Sequence, residues 1–198
     1  MTFIIIPVIH LILASNSPRR RELLKNAGFD FDVRPSGIEE IRLSEEPAEA
    51  FALRLAQDKA LEVASHSSPG GIVLGADTVV VINGEILEKP VDAADAKRML
   101  HTLSGHTHRV ITGVCLARAP ENVLACTHET TAVTFRKLTD QEIDAYVASG
   151  EPYDKAGGYA IQGLASRFIP RIEGCYFNVV GLPIPRVYEI LKSIGLKE

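Results

Sequence analysis

The densest group of residues that could bind an anion is the segment SNSPRRR at residues 15–21. Small polar residues before Pro18 predict the start of a helix, where free backbone N–H groups and the helix dipole favour phosphate. The guanidinium groups of Arg19 and Arg20 would add donors for phosphoryl oxygens. The arginines could instead form a solvated helix face. Because cations at a helix N-terminus oppose the dipole, we favour an anion site that includes Ser15.

A single carboxylate, Asp77, interrupts the β-branched apolar run of residues 72–82. A buried carboxylate needs a cation, a metal ion or hydrogen bonds to offset its loss of solvation. Asp77 could face solvent from a strand, or it could bind Mg²⁺ or act as a base for water, with the Thr78 hydroxyl beside it. Glu39 and Glu40, in a loop after the first predicted helix, could supply a second carboxylate for the metal or form ordinary surface charge.

Lys59, Lys89 and Lys155 could supply the point charges that a triphosphate needs, although any one of them alone is typical of a solvated surface. The segment GGYAIQG, residues 157–163, has glycines on both sides of a short predicted strand, which allows a ligand to approach the backbone. Within it, Gln162 can both donate and accept hydrogen bonds, as recognition of a base edge requires. A simple turn, strand and turn is the alternative.

Hydrophobic periodicity and turn residues predict the elements that carry these groups. Strands are predicted at residues 8–14, 72–82, 85–89, 109–117 and 123–135, with shorter ones ending at residue 162 and near residues 168–172. Helices are predicted at residues 18–27, 47–64, 92–103, 139–150 and 183–194. Since strands and helices mix without strict alternation, the sequence predicts an α/β fold with a long mixed sheet.

Composition excludes several other classes of protein. The 198 residues carry a net charge of −4 with basic residues spread among acidic ones, so nucleic-acid binding is disfavoured. Three cysteines without CxxC spacing predict buried free thiols in a reducing compartment. The apolar residues 3–14 lack a preceding basic residue and are shorter than the ~20 residues that span a bilayer. We therefore expect a cytoplasmic protein without a signal peptide or membrane anchor.

Several segments together resemble the Maf family, and they occur in family order over nearly the whole chain. They are ASNSPRR (14–20), ELL (22–24), GADT (75–78), EKP (88–90), LSG (103–105) with His108, DKAG (154–157) and GLP (181–183). The resemblance implies an elongated fold similar to inosine triphosphate pyrophosphatases, as a single domain over residues 1–198 with two lobes around a central cleft, often dimeric. It also implies Mg²⁺- or Mn²⁺-dependent hydrolysis between the α- and β-phosphates of a nucleoside triphosphate.

Within the family, Arg20 after Arg19, Thr78 after Asp77, and AIQG at residues 160–163 resemble the subgroup that acts on dTTP and UTP. By this resemblance Asp77 is the catalytic residue. The resemblance also implies specificity contacts from Arg19, Thr78 and Gln162, and phosphate ligands from Ser15, Arg20, Lys59 and Lys89. We expect Asp77 and Glu39 to hold the metal, with Glu40 as the alternative to Glu39. A nucleotide-binding regulator that arrests septum formation is the alternative function.

Overall fold

The protein, described by a computed structural model over residues 10–195, is built on one mixed sheet of seven strands. The strands are β1 Leu11–Leu13, β2 Phe31–Val33, β3 Ile72–Ile82, β4 Glu85–Leu87, β5 Thr107–Arg118, β6 Asn122–Thr134 and β7 Arg171–Glu173. Their order is β2-β1-β3-β5-β6-β7, with β4 paired to β3. Strand β1 is parallel to β2 and β3, and the other pairs are antiparallel. The predicted mixed α/β class is confirmed.

Helices cover this sheet and also carry the loops of the cleft. They are α1 Pro18–Asn26, α2 Ala48–Ser65, α3 Ala93–Leu103, α4 Asp140–Ala148, α5 Tyr176–Val180 and α6 Ile184–Ser193, with short 3₁₀ helices at Glu151–Asp154, Ala156–Gly158 and Leu164–Phe168. Helix α1 begins at Pro18 after a Ser17 cap, and α4 begins with a capping box of Thr139 and Glu142. Among residues 10–195, no helix has the length and apolar composition needed to cross a bilayer.

Strand β2, helix α5 and the three 3₁₀ helices were not predicted, and one predicted strand is wrong. Strand β2 and helix α5 were missed because three and five residues show no clear periodicity. The strand predicted to end at Gln162 is absent, since residues 161–163 form a turn. Gly157 and Gly158 both have left-handed φ angles, of 70° and 68°, which end any extended conformation there. Residues 8 and 9 of the first predicted strand lie outside the described residues.

The cysteines differ from their predicted state. Cys115 on β5 and Cys126 on β6 lie directly opposite each other and form a disulfide, whereas Cys175 is free. The expectation of free thiols is therefore wrong for this pair. Their separation of 11 residues matches no disulfide or metal motif, and only the register of the two antiparallel strands brings them together.

Helix α2 packs directly on the backbone of the central strands. A Cβ added at Gly75 would lie 2.0 Å from the carbonyl oxygen of Ala56, and one at Gly113 would lie 2.3 Å from that of Ala52. The two alanines are fully buried, so small residues on both surfaces permit this approach. Because Asp77 follows Gly75 by two residues on β3, it projects from the same face of the strand, towards α2.

We expect Gly75→Ala to lower the free energy of unfolding by about 1–3 kcal/mol, the range typical of overpacking a core. The new methyl group would contact helix backbone, which cannot rotate away as a side chain can. Urea unfolding monitored by circular dichroism measures this change. The matched control is Gly37→Ala, where an added Cβ meets no atom within 4 Å and stability should be unaltered. Equal stability of Gly75→Ala and the wild type would refute the close approach of α2.

His108 lies buried on β5 among aromatic rings, with only 2% of its surface exposed. Its Nε2 atom is 2.7 Å from the hydroxyl oxygen of Tyr159, and its ring meets Phe135 edge-on. Among the described residues, its Nδ1 atom has no hydrogen-bond partner. Burial lowers the pKa of His108 from 6.5 to about 4, so the imidazole is neutral in the folded protein at neutral pH.

This depressed pKa predicts an acid-sensitive contribution to stability. The unfolded chain binds the His108 proton near pH 6.5, before the folded protein does, so the stabilisation is complete above ~6.5 and is lost as pH falls towards ~4. Between about pH 7 and about pH 5, the wild type should lose about 2 kcal/mol from this residue. Urea unfolding of the wild type and His108→Gln at both pH values measures it. The same pH dependence in both proteins would exclude His108 as the source.

Candidate active site

A cleft of about 420 Å³ brings together groups that are far apart in the sequence. The start of α1, one face of α2, strand β3 and the segment after α4 all contribute to its walls. All the side chains that the sequence predicted to bind substrate line it, namely Ser15, Arg19, Arg20, Lys59, Thr78, Lys89 and Gln162. Asp77 lies at a smaller adjoining pocket, which shares Glu40, Thr78 and Lys89 with the main cleft.

Arg20 links the start of α1 to strand β3 and to the turn before α6. Its guanidinium donates to the carbonyl oxygens of Gly181 and Ala76, both at 2.9 Å, to Thr78 Oγ1 at 3.1 Å and to Ser15 Oγ at 3.2 Å. Burial lowers the pKa of Arg20, although the nearby charge of Asp77 opposes this effect. Arg20 is therefore a fixed part of the cleft wall, and a solvated helix face is the wrong interpretation of this arginine.

Arg19 spans from the same helix to the segment after α4. Its Nη1 atom donates to Asp154 Oδ2 at 2.9 Å. Lys155 also forms an ion pair with Asp154, and it donates to the carbonyl oxygen of Glu151 at 2.7 Å. The Asp154 side chain is 63% exposed, so its ion pair with Arg19 contributes little to stability. An anionic ligand could therefore replace this carboxylate on Arg19.

The core of the site is a chain of alternating charges beside β3. Asp77 is only 6% exposed, and its Oδ1 atom accepts a hydrogen bond from Lys59 Nζ at 2.7 Å. The same ammonium donates to Glu40 Oε1 at 2.5 Å, while Lys89 Nζ lies 3.6 Å from Glu40 Oε2. The close approach of α2 to the sheet explains how Lys59 reaches Asp77. The interpretation of Asp77 as a solvent-facing strand residue is thus wrong.

The carboxylates of Asp77 and Glu40 have opposite pKa shifts. Burial raises the pKa of Asp77, and the positive charges of Lys59 and Arg20 offset it only in part. For Glu40, burial acts in the same direction, but the hydrogen bond from Lys59 and the charges of Lys59 and Lys89 outweigh it and lower the pKa. Different pKa values on neighbouring carboxylates are typical of sites where one group accepts a proton and the other stays ionised.

Glu40 lies beside Asp77, whereas the predicted second metal ligand, Glu39, does not. Glu39 is exposed, and it forms no ion pair with any residue in the described range 10–195. The two glutamates are adjacent in a loop without regular periodicity, so the sequence could not show which of them points inward. In the structure it is Glu40, and not Glu39, that contacts the ammonium group bound to Asp77.

The carboxylates of Asp77 and Glu40 fit a hard divalent cation whose coordination is completed by oxygen atoms of a bound ligand. They approach the same ammonium group, so both face a space that already accommodates positive charge. Within residues 10–195, no three acidic, histidine or cysteine side chains cluster as a metal cage. Mg²⁺ commonly uses one or two carboxylates together with substrate phosphates, and that donor set matches this site.

Gln162 and its neighbours Ala160 and Ile161 line the cleft from the segment after α4. The Gln162 side chain is exposed, and no hydrogen bond joins it to another described residue. Its amide is therefore free to contact a ligand. Asp154 was missed as a contact of Arg19, although an acidic residue beside Lys155 in a glycine-rich segment was a visible signal.

Proteins of known sequence and structure provide independent comparisons. Among solved structures, a HAM1 protein from Coxiella burnetii is 13% identical, covers 65% of this chain and 73% of its own, and has a TM-score of 0.47. A dITP/XTP pyrophosphatase from Mycobacterium abscessus is 14% identical over 66% of this chain and 76% of its own, with a TM-score of 0.41. The α/β class rests on the sheet itself.

Curated relatives are much more similar in sequence. A protein from Koribacter versatilis (strain Ellin345) named dTTP/UTP pyrophosphatase is 52% identical over 186 residues, which cover 94% of this chain and 95% of that protein. A protein of the same name from Escherichia coli O157:H7 is 51% identical over 93% of each chain. The family model described as Maf-like protein matches residues 10–194. The cleft and the carboxylate pair described above lie within that match, and the chain belongs to the Maf family.

Proposed function

We propose that this chain is a nucleoside triphosphate pyrophosphatase that hydrolyses dTTP and UTP to the monophosphate and pyrophosphate. The observation that carries the proposal is the buried Asp77, hydrogen-bonded to Lys59 beside a cleft lined by cationic side chains. The names of the relatives from Koribacter versatilis and Escherichia coli support the substrate class. Phosphate chains carry several negative charges, and a cleft of this kind offers charges of the opposite sign at fixed positions.

The phosphate ligands in this proposal are Ser15, Arg20, Lys59 and Lys89. Arg20 and Lys59 are held by several bonds, so they present their charges without reorganisation when a ligand binds. Lys89 is 59% exposed and only loosely paired with Glu40, so its ammonium is free to turn towards a phosphate. This combination favours a ligand with more than one phosphate group.

Asp77 is the proposed proton acceptor in this reaction. Burial raises its pKa, which makes it a better base than an ordinary aspartate, and Lys59 fixes the orientation of its carboxylate. Asp77 would take the proton of a water that attacks the α-phosphorus, and the bond to the β-phosphate oxygen would break as pyrophosphate leaves. Asp77 and Glu40 would hold a divalent cation, Mg²⁺ or Mn²⁺, whose charge would neutralise the phosphate oxygens.

Base recognition is assigned to Arg19, Thr78 and Gln162. The free amide of Gln162 can donate to and accept from a pyrimidine edge, which suits the carbonyl and N–H groups of thymine and uracil.

We also propose that residues 1–198 act as one Maf domain with two lobes around this cleft, as a homodimer in the cytoplasm, where nucleoside triphosphates are available. These features follow from the family resemblance.

Replacing the proposed base tests the mechanism. Asp77→Asn should lower kcat for dTTP and UTP by about 10²–10⁴-fold, the usual contribution of a general base, because the amide cannot accept the proton. A pyrophosphate-release assay with Mg²⁺ or Mn²⁺ measures this, and circular dichroism checks the fold. Asp58→Asn, an exposed carboxylate on the same helix as Lys59, is the matched control and should keep full activity. Full activity of Asp77→Asn would reject Asp77 as the base.

A substrate panel tests the proposed specificity. The purified protein should release pyrophosphate from dTTP and UTP with a higher kcat/KM than from CTP, GTP or ATP, the preference that the names of the relatives lead us to expect. Chromatography of the products should show the nucleoside monophosphate. Release of orthophosphate with a nucleoside diphosphate would instead indicate cleavage at the γ-phosphate and would exclude the proposed reaction.

A further inference from the structure

We propose that Tyr146 and Glu151 are positioning residues for base recognition, because they hold both ends of the loop that carries Gln162. This loop, residues 160–164, is called the recognition loop below. The inference rests on the proposed function, since it concerns how the same cleft distinguishes one base from another. It assigns a role to two residues that do not line the cleft themselves.

Two hydrogen bonds fix the recognition loop at its ends. The Tyr146 hydroxyl accepts the backbone N–H of Ala160 at 3.3 Å and donates to Glu151 Oε1 at 2.8 Å. The other carboxylate oxygen, Oε2, accepts the N–H of Leu164 at 2.9 Å. Tyr146 is fully buried on α4, so this support is anchored in the core. Gln162 lies midway between the two bonded amides.

The loop between these bonds is short and closely packed on Glu151. Its backbone closes in a turn in which Gly163 N donates to the Ala160 carbonyl oxygen at 3.1 Å. A Cβ added at Gly163 would lie 2.4 Å from both carboxylate oxygens of Glu151. The carboxylate therefore occupies the space beside the loop where any other residue at position 163 would place its side chain.

The chemistry of the two supporting groups suits this task. Each of the two carboxylate oxygens of Glu151 accepts from a different donor, whereas a carboxamide would present an NH₂ group to one of these donors. Burial and the adjacent Glu151 raise the pKa of Tyr146, so the hydroxyl keeps its proton and remains a donor. The Glu151 carbonyl oxygen also accepts from Lys155 Nζ at 2.7 Å, which joins this support to the wall that contains Asp154.

The orientation of Gln162 depends on this support. Gln162 lines the cleft, and because its side chain forms no hydrogen bond within residues 10–195, its position is set by the backbone of the recognition loop. A group that reads a base must be held to within about 0.5 Å, and a displacement of about 1 Å can lower the rate about 10²-fold. Loss of either end of the loop should therefore weaken base discrimination before it affects the phosphate-binding side.

The test measures kcat and KM of the wild type, Glu151→Ala, Glu151→Gln and Tyr146→Phe with dTTP, UTP and CTP. In Glu151→Ala we expect kcat/KM for dTTP and UTP to fall about 10- to 100-fold, mainly through KM, and that for CTP to change little. Discrimination against CTP should thus fall by the same factor. Glu151→Gln keeps one side-chain acceptor oxygen and should restore part of the discrimination against CTP. Tyr146→Phe removes a single hydroxyl and provides the same test if Glu151→Ala does not fold.

Glu142→Gln is the matched control, since Glu142 on the same helix α4 is hydrogen-bonded to Arg136 and Thr139 but not to the recognition loop. This variant can lose stability, but its ratio of kcat/KM for dTTP to that for CTP should equal that of the wild type.

Hydrogen exchange of the backbone amides provides a readout that does not depend on activity. The peptide covering residues 160–164 should exchange faster in Glu151→Ala and at the wild-type rate in Glu142→Gln.

The outcomes separate this inference from the proposed function. Suppose that the wild type prefers dTTP and UTP. If Glu151→Ala then lowers kcat/KM for all three substrates by the same factor, or leaves the hydrogen exchange of residues 160–164 unchanged, the positioning role is overturned and the proposed function stands. If the wild type cleaves neither dTTP nor UTP, the proposed function fails and this inference fails with it. A lowered ratio in Glu151→Ala and Tyr146→Phe, with faster exchange, supports the positioning role.

Discussion

The buried ion pair between Lys59 and Asp77 is the constraint on which the rest of the site depends. Removing two charges from water is unfavourable, and a well-packed apolar pair would often be at least as stable. The fold nevertheless brings α2 onto the bare backbone of Gly75 and Gly113, at a distance that allows the lysine to reach the carboxylate. This arrangement holds the Asp77 carboxylate at a fixed position, and it does so without requiring a gain in stability.

Arg20 extends this constraint to the first helix. It donates to the Ala76 carbonyl oxygen and to Thr78 Oγ1, on either side of Asp77, so the start of α1 and the centre of β3 form one rigid unit. Charges within this unit are fixed, whereas Arg19 and Lys89 hold exposed partners that a ligand can replace. Fixed charges can stabilise a transition state without reorganisation, and exchangeable ones can follow the ligand as it binds and leaves.

The sequence was most informative where neighbouring residues alone determine the local backbone structure. The predicted helix that begins at the Thr139 capping box and the two predicted strands on either side of Asn83-Gly84 are present in the structure, because both features depend on neighbouring residues. Long-range geometry decided the rest. The contact of Glu40, rather than Glu39, with Lys59 depends on the direction of a loop, and the pairing of Cys115 with Cys126 depends on strand register; local patterns specify neither.

Support for the chemistry and support for base recognition come from different parts of the fold. Asp77 is held by α2 and by Arg20, while the recognition loop is held by Tyr146 on α4 and by Glu151. No hydrogen bond or ion pair among residues 10–195 joins Tyr146 or Glu151 to Lys59 or Asp77. Because residues without shared partners act nearly independently, a substitution at Gln162 should, under the proposed function, alter base preference without disturbing the ion pair of Lys59 and Asp77.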